Sequence, residues 1–125
     1  LFPIRDVING KRIVLIDDSL VRGTTAQKIV TTLRNAGAKE IHFALSSPAV
    51  ISPCFYGIDT PNKSKLIAAV KSVEEIREFL NVDTLTFLDI NNMKKACGNG
   101  DVNHFCSACF DGKYPSPVDR KKLLV

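Results

Sequence analysis

The 125-residue chain has no apolar stretch near the roughly 20 residues that a membrane-spanning helix needs, so no membrane span is expected. Its opening, LFPIRDVINGKR, has neither the basic-then-apolar order of a secretory signal nor an initiator methionine. That start fits a processing or cloning boundary, or the edge of a fragment. Basic and aromatic residues are not interleaved as in single-strand binders, so no nucleic-acid partner is expected. The four cysteines, Cys54, Cys97, Cys106 and Cys109, are too few for a secreted disulfide scaffold. Reduced thiols in the cytoplasm, or a metal site, fit better. Internal repeats and low-complexity tracts are absent. So are a Walker loop and a dinucleotide fingerprint, because neither Gly-x-x-x-x-Gly-Lys-Ser/Thr nor Gly-x-Gly-x-x-Gly occurs.

What remains is an ordinary apolar fraction, 45%, enough for one modest domain with one core. The net charge of +4 suits a polyanionic ligand, but the charges are scattered and also fit a solvated surface. The densest basic cluster, DRKKLLV, reads as a C-terminal tail.

The apolar, β-branched run RIVLI (12–16) predicts a buried strand. Ala26, Ile29, Val30 and Leu33 fall at helical spacing, so a helix is predicted from Thr24 to Ala36, with Gly37 as its stop. KEIHFALSS (39–47) predicts a second strand, making a βαβ unit with parallel strands and a right-handed crossover. Three prolines make 48–62 a long loop. A short helix is expected from Ser64, and a better one over 72–81, where Ser72 and Glu75 form a capping box. TLTFL (84–88) reads as a third strand, and DINNMKKAC (89–97) as a helix capped by Asp89. From Gly98 onward the chain is expected to be irregular. The fold class is therefore α/β: a partial parallel sheet with flanking helices and an irregular, Cys-containing tail. Three strands are few for such a sheet, a hint of missing strands upstream.

The stretch IVLIDDSLVRGTTA (13–26) carries the chemistry. In open α/β sheets, ligands bind beyond the carboxyl ends of the strands, where Asp17 and Asp18 fall. The loop from Ser19 to Thr25 leads into a helix N-terminus, whose free amides and dipole favour an anion. Gly23 lets backbone approach a phosphate, Thr24 and Thr25 add hydroxyls, and Arg22 adds a charge. Paired aspartates accept hydrogen bonds from vicinal hydroxyls or help hold a hydrated Mg²⁺. A diol beside a phosphate describes a ribose 5-phosphate. The plainer alternative is that the aspartates merely end a strand and Thr24 caps a helix.

VLIDDSLVRGTT resembles the phosphoribosyl pyrophosphate (PRPP) motif of type I phosphoribosyltransferases. Together with SSPAVISPCFYGIDTP, SVEEIREFL, DTLTFLDI and CSACFDGKYP, it resembles the glutamine PRPP amidotransferase family from about Pro3 to Pro115. The resemblance implies a partial type I phosphoribosyltransferase fold, with 1–97 as the C-terminal part of that domain and 98–125 as the tail. It implies the first committed step of purine synthesis, in which glutamine-derived ammonia displaces pyrophosphate from C1 of PRPP. Asp17 and Asp18 would hold the ribose hydroxyls, directly or through Mg²⁺. Ser19, Arg22, Gly23, Thr24 and Thr25 would cradle the 5-phosphate. Other implied partners are purine nucleotide feedback inhibitors and further copies in a homo-oligomer.

The family's glutaminase domain has an N-terminal nucleophilic cysteine, and its mobile loop lies in the first part of the transferase domain. A chain opening LFPIR is thus expected to be the C-terminal portion of a longer cytoplasmic enzyme, by truncation or as a split subunit. It is not expected to hydrolyse glutamine or transfer ribose efficiently alone.

Cys106-Ser107-Ala108-Cys109 has the spacing of a metal or cluster clamp, although reduced structural thiols explain it as well. Many family members carry a structural [4Fe–4S] cluster, and Cys54, Cys106 and Cys109 match three of its ligand positions. The fourth lies upstream in the family; Cys97 departs from the pattern, and His104 reads as a loop residue. Tyr56, Gly57 and Asp59 either face the nucleotide or ammonia side of the site or form a packed aromatic pair and a turn. Lys11, Arg12 and the helix charges Glu74, Glu75, Arg77 and Glu78 read as solvated. The competing functions are a non-catalytic PRPP-binding regulator, which typically brings a nucleic-acid-binding element, and a small metal-binding interaction module.

Overall fold

A computed structural model of the chain describes residues 3–98 and 104–118. The DRKKLLV segment lies outside the described residues. Three parallel strands, β1 (Arg12–Asp17), β2 (Glu40–Leu45) and β3 (Thr84–Phe87), form a sheet in the order β1-β2-β3. Phe43 lies between Leu15 and Leu85 in register, and Leu45 between Asp17 and Phe87. Because side chains alternate along a strand, Ile13, Leu15, Ile41, Phe43, Leu45, Leu85 and Phe87 share one face. Two helices cover that face, α2 (Thr24–Asn35) through Ala26 and Val30 and α4 (Val73–Leu80) through Ile76 and Leu80, and Leu20, Ala38, Ile67 and Val82 join the core from the connections.

The opposite face carries Val14, Ile16, His42, Ala44, Thr84 and Thr86. Val14 is 64% and Ile16 71% exposed. The strand expected to be buried is therefore half-buried on one side and exposed on the other. An uninterrupted apolar run is what a strand covered on both faces looks like, so composition alone overstates its burial. Ile29 differs for a related reason. It sits on α2 at helical spacing but is 38% exposed, beside Pro3, Ile8, Leu15 and Leu33 next to the outer edge of β1.

The helix signals in the sequence are realised atom by atom. In α4 the Ser72 Oγ accepts the Glu75 amide at 3.3 Å, while Glu75 accepts the Ser72 amide at 2.7 Å, closing both halves of the capping box. Asp89 accepts the Asn91 and Asn92 amides at 3.0 Å each and starts α5 (Ile90–Cys97). The segment from Ser64 differs from the single helix expected. It is a 3-10 turn (Lys63–Lys65) followed by one helical turn, α3 (Ile67–Val70), pinned by the buried Leu66 and Ile67. Two short helices were not expected: α1 (Arg5–Ile8), before the first strand, and α6 (Ala108–Asp111), within the supposedly irregular tail. α6 docks on the loop after β2, where the Cys109 carbonyl accepts the amides of Ile51 (2.9 Å) and Ser52 (3.1 Å).

Arg34, in the last turn of α2, reaches the connection into β3. Its guanidinium donates to Asp83 at 2.7 Å and to the Asn81 and Lys39 carbonyls. Asp83 also accepts the Ile41 amide at 2.7 Å. That amide, and then Arg34, hold the Asp83 carboxyl below the ordinary aspartate range. A depressed folded pKa gives stability that is complete above the unfolded value, about 3.9, and is lost as pH falls through the folded one. Asp83→Asn is therefore expected to lower the urea midpoint at about pH 7 and to flatten its decline below about pH 4. Parallel acid limbs for the two proteins would contradict this assignment.

Candidate functional site

Asp17 ends β1, and Ser46 just beyond β2 fixes that end. The Ser46 amide donates to the Asp17 carbonyl at 3.0 Å. The Asp17 carboxylate accepts the Asp18 amide at 2.9 Å, and the Ser19 hydroxyl donates to Asp18 at 3.2 Å. These bonds orient the paired carboxylates at the sheet's carboxyl edge. Leu20, 3% exposed, then roots the loop in the core, and the Val21 carbonyl accepts the Ile67 amide at 2.9 Å.

Gly23 makes the turn into α2 with φ +79°, in the left-handed region. A Cβ there would lie 2.8 Å from Ile67 Cδ1 and 3.2 Å from Phe79 Cε1. The conformation therefore requires glycine, and a Cβ would in addition displace the Ile67 methyl. α2 begins with no side-chain cap, which leaves the amides of its first turn without a side-chain acceptor. The side chains of Arg22, Thr24 and Thr25 make no hydrogen bond or ion pair to any described residue. Donors, a dipole end and an unpaired guanidinium thus converge.

All seven predicted residues, Asp17, Asp18, Ser19, Arg22, Gly23, Thr24 and Thr25, line one cavity of about 460 Å³. Asp59 and Pro61 form part of its wall from the long loop after β2. Pro61 and the bracing Ser46 carry no local sequence signal, because only the packing of distant segments brings them to the loop. Lys11 and Arg12 stand at the far end of the strand, where Arg12 pairs with Glu40 at 2.6 Å.

A second cavity, about 350 Å³, is lined by Cys54, Cys106 and Cys109 together with Tyr56, Ile58 and Tyr114. Burial, with Cys54 and Cys106 close by, pushes the Cys109 thiol up. Phe55 and Tyr114 pack with ring centroids 5.3 Å apart, and the Tyr114 hydroxyl donates to the Pro53 carbonyl at 2.7 Å. Phe55 and Tyr56 thus each pack on Tyr114 rather than being paired with each other, while Asp59 lines the other cavity. Cys97, exposed at the end of α5, does not line the thiol cavity. Among the described residues no group of three or more His, Cys, Asp and Glu is placed to hold a single metal ion. No described helix is long and apolar enough to cross a membrane.

A parallel sheet with helices packed on it and this loop at its carboxyl edge define a portion of a phosphoribosyltransferase fold. No family model matches the chain. Individual proteins do. An amidophosphoribosyltransferase of Synechocystis sp. is 52% identical across the whole chain, which spans 26% of that protein. One from Bacillus subtilis is 50% identical over 99% of the chain and 27% of its own length. A solved structure of glutamine PRPP amidotransferase from B. subtilis, complexed with ADP and GMP, superposes with a TM-score of 0.85. It is 49% identical, and the match covers 94% of this chain and 26% of that one. The chain is a homologue of the amidophosphoribosyltransferases, matching a C-terminal part of them, and spans about a quarter of the length of the curated relatives it matches.

Proposed function

We propose that the chain carries the ribose-phosphate grip of a glutamine PRPP amidotransferase. In that enzyme ammonia from glutamine forms the C1–N bond of 5-phosphoribosylamine as the C1–O bond to pyrophosphate breaks. One observation carries the reading: a single cavity gathers the aspartate pair, the uncapped start of α2 and the unpartnered Arg22. Asp17 and Asp18 take the ribose hydroxyls. Ser19, Arg22, Thr24, Thr25 and the amides after Gly23 take the 5-phosphate. Held at both ends, the sugar presents C1 in a fixed orientation while positive charge develops on it. Magnesium, for which the two carboxylates are suitable oxygen ligands, supplies charge neutralisation for the departing pyrophosphate.

The same reading gives Cys54, Cys106 and Cys109 to a structural [4Fe–4S] cluster in the intact enzyme. The donor chemistry fits three corners, since three thiols line one cavity, and the fourth thiolate has to come from elsewhere. Such a cluster would fasten the tail, residues 98–125 in this division, to the transferase part at 1–97. The intact enzyme would be a cytoplasmic homo-oligomer fed by glutamine-derived ammonia and inhibited by purine nucleotides. The chain by itself would bind ligand without turning it over.

The test is a titration of the isotope-labelled full chain with ribose 5-phosphate and with PRPP plus Mg²⁺. Amide shifts are expected at Asp17–Thr25. Arg22→Ala should weaken binding about 10- to 100-fold, the scale of a lost hydrogen bond to a charged group. No shift at these amides at millimolar ligand would refute the reading.

A further inference from the structure

Cys54 and the pair Cys106 and Cys109 reach the thiol cavity from distant segments of the chain. All four cysteines are free, so no covalent bond joins those segments. Tyr114 joins them instead. After α6 the chain reverses: Asp111 accepts the Ser107 hydroxyl at 2.7 Å and the Lys113 amide at 2.8 Å, and Gly112 takes φ +71°. The reversal brings Tyr114 back to the loop after β2. Its hydroxyl donates at 2.7 Å to the carbonyl of Pro53, the residue before Cys54. Its ring packs on Phe55, the residue after, with centroids 5.3 Å apart. One side chain, which also lines the thiol cavity, thus grips Cys54 from both neighbours. Two further bonds fix what is gripped. The Cys54 amide donates to the Thr60 hydroxyl at 2.6 Å, and the Tyr56 amide donates to the Cys54 sulfur at 3.4 Å.

A site built from several thiolates binds better when its sulfurs are already held together, because less ordering remains to be done on binding. We propose that Tyr114 is a positioning residue for the thiol site: through its bond to the Pro53 carbonyl, it presents Cys54 to Cys106 and Cys109 before anything is bound there. This role rests on the cluster reading of the same thiols and deepens it, because the preorganisation falls to a residue that is not itself a ligand. The docking of α6 has a separate anchor, the Cys109 carbonyl, which accepts the Ile51 and Ser52 amides without touching Cys54. Loss of the Tyr114 hydroxyl should therefore free Cys54 while leaving α6 in place.

The experiment treats the full chain, reduced and metal-free, with dibromobimane, which fluoresces once it has bridged two thiols, and identifies the bridged pairs by peptide mapping. Tyr114→Phe, which keeps the ring and loses the hydroxyl bond, is compared with the unmodified chain. The Cys106–Cys109 bridge is the internal reference, since both thiols sit on one short segment. Hydrogen exchange at the Ile51 and Ser52 amides reports whether α6 stays docked. Tyr114→Phe is expected to lower the ratio of Cys54-containing bridges to Cys106–Cys109 bridges about fivefold, the scale of one lost hydrogen bond acting on effective concentration. The Ile51 and Ser52 amides should stay as protected as before. An unchanged ratio overturns the proposal. So does a lower ratio accompanied by loss of protection at Ile51 and Ser52, which would make Tyr114 an anchor of the tail and nothing more. Absence of any Cys54 bridge in the unmodified chain would instead refute the shared thiol site, and the cluster reading with it, so the two failures are distinguishable.

Discussion

Gly23→Ala is expected to destabilise the chain by about 2–5 kcal/mol and to abolish ribose 5-phosphate binding. Two costs add. Left-handed backbone costs a non-glycine residue about 1–2 kcal/mol. Forcing a methyl into a filled site costs about 1–3 kcal/mol more; here the new Cβ would lie 2.8 Å from Ile67 Cδ1 and 3.2 Å from the Phe79 ring. Relief comes in part from rotation of the Ile67 side chain, whose Cδ1 is its free end, and for the rest from a shift of the turn against the Phe79 ring. Moving the turn re-aims the first amides of α2, which is why binding should fail along with stability. Gly10 is the internal control. It has φ +71° with nothing within 4 Å of its Cβ position, so Gly10→Ala should show the backbone cost alone. Urea melts of the two variants, with phosphate titrations of each, separate the contributions. Equal losses in both would mean that the Ile67 and Phe79 contacts are immaterial.

Phe43→Ala should cost about 3–5 kcal/mol, the range for truncating a buried aromatic. Phe43 is 1% exposed at the centre of the middle strand, between Leu15 and Leu85. Against the about 5–15 kcal/mol that typical domains possess, such a loss leaves a substantial unfolded population. Ile16→Thr should change stability by no more than about 0.5 kcal/mol, as at other exposed positions, because Ile16 is 71% exposed. Both residues are large, apolar and central in a strand, so the contrast tests the sidedness of the sheet directly. Comparable losses would mean that the face bearing Ile16 is covered in solution.

That sidedness marks where sequence reasoning stops. Capping residues act over three or four positions, so Ser72, Glu75 and Asp89 announced their helices, and each hydrogen bond is formed. The anion loop was equally legible, because Asp17 to Thr25 is one continuous stretch whose conformation follows from a strand end, a glycine and a helix start. What covers a strand is a long-range property, which is why Val14 and Ile16 read as buried. The part of the cavity wall that comes from the loop after β2 was only half visible. Asp59 stood out as a charged residue in a proline-rich loop, but the loop's direction depends on partners about sixty positions away. The short helix α6 was hidden for the same reason: its sequence is poor in helix formers, and docking against Ile51 and Ser52 holds it.

The pairing of Ile51 and Tyr56 with residues beyond 108 also has a temporal side. Strand, loop and helix of residues 12–35 are contiguous and close few long loops, whereas the wall bearing Asp59 waits on contacts between Tyr56 and Ser116. On a ribosome, the residues of the phosphate loop emerge well before the 109–116 segment that anchors the cavity's other wall. Pulse-labelling hydrogen exchange during refolding should accordingly show the amides of α2 protected before those of Ile51 and Ser52.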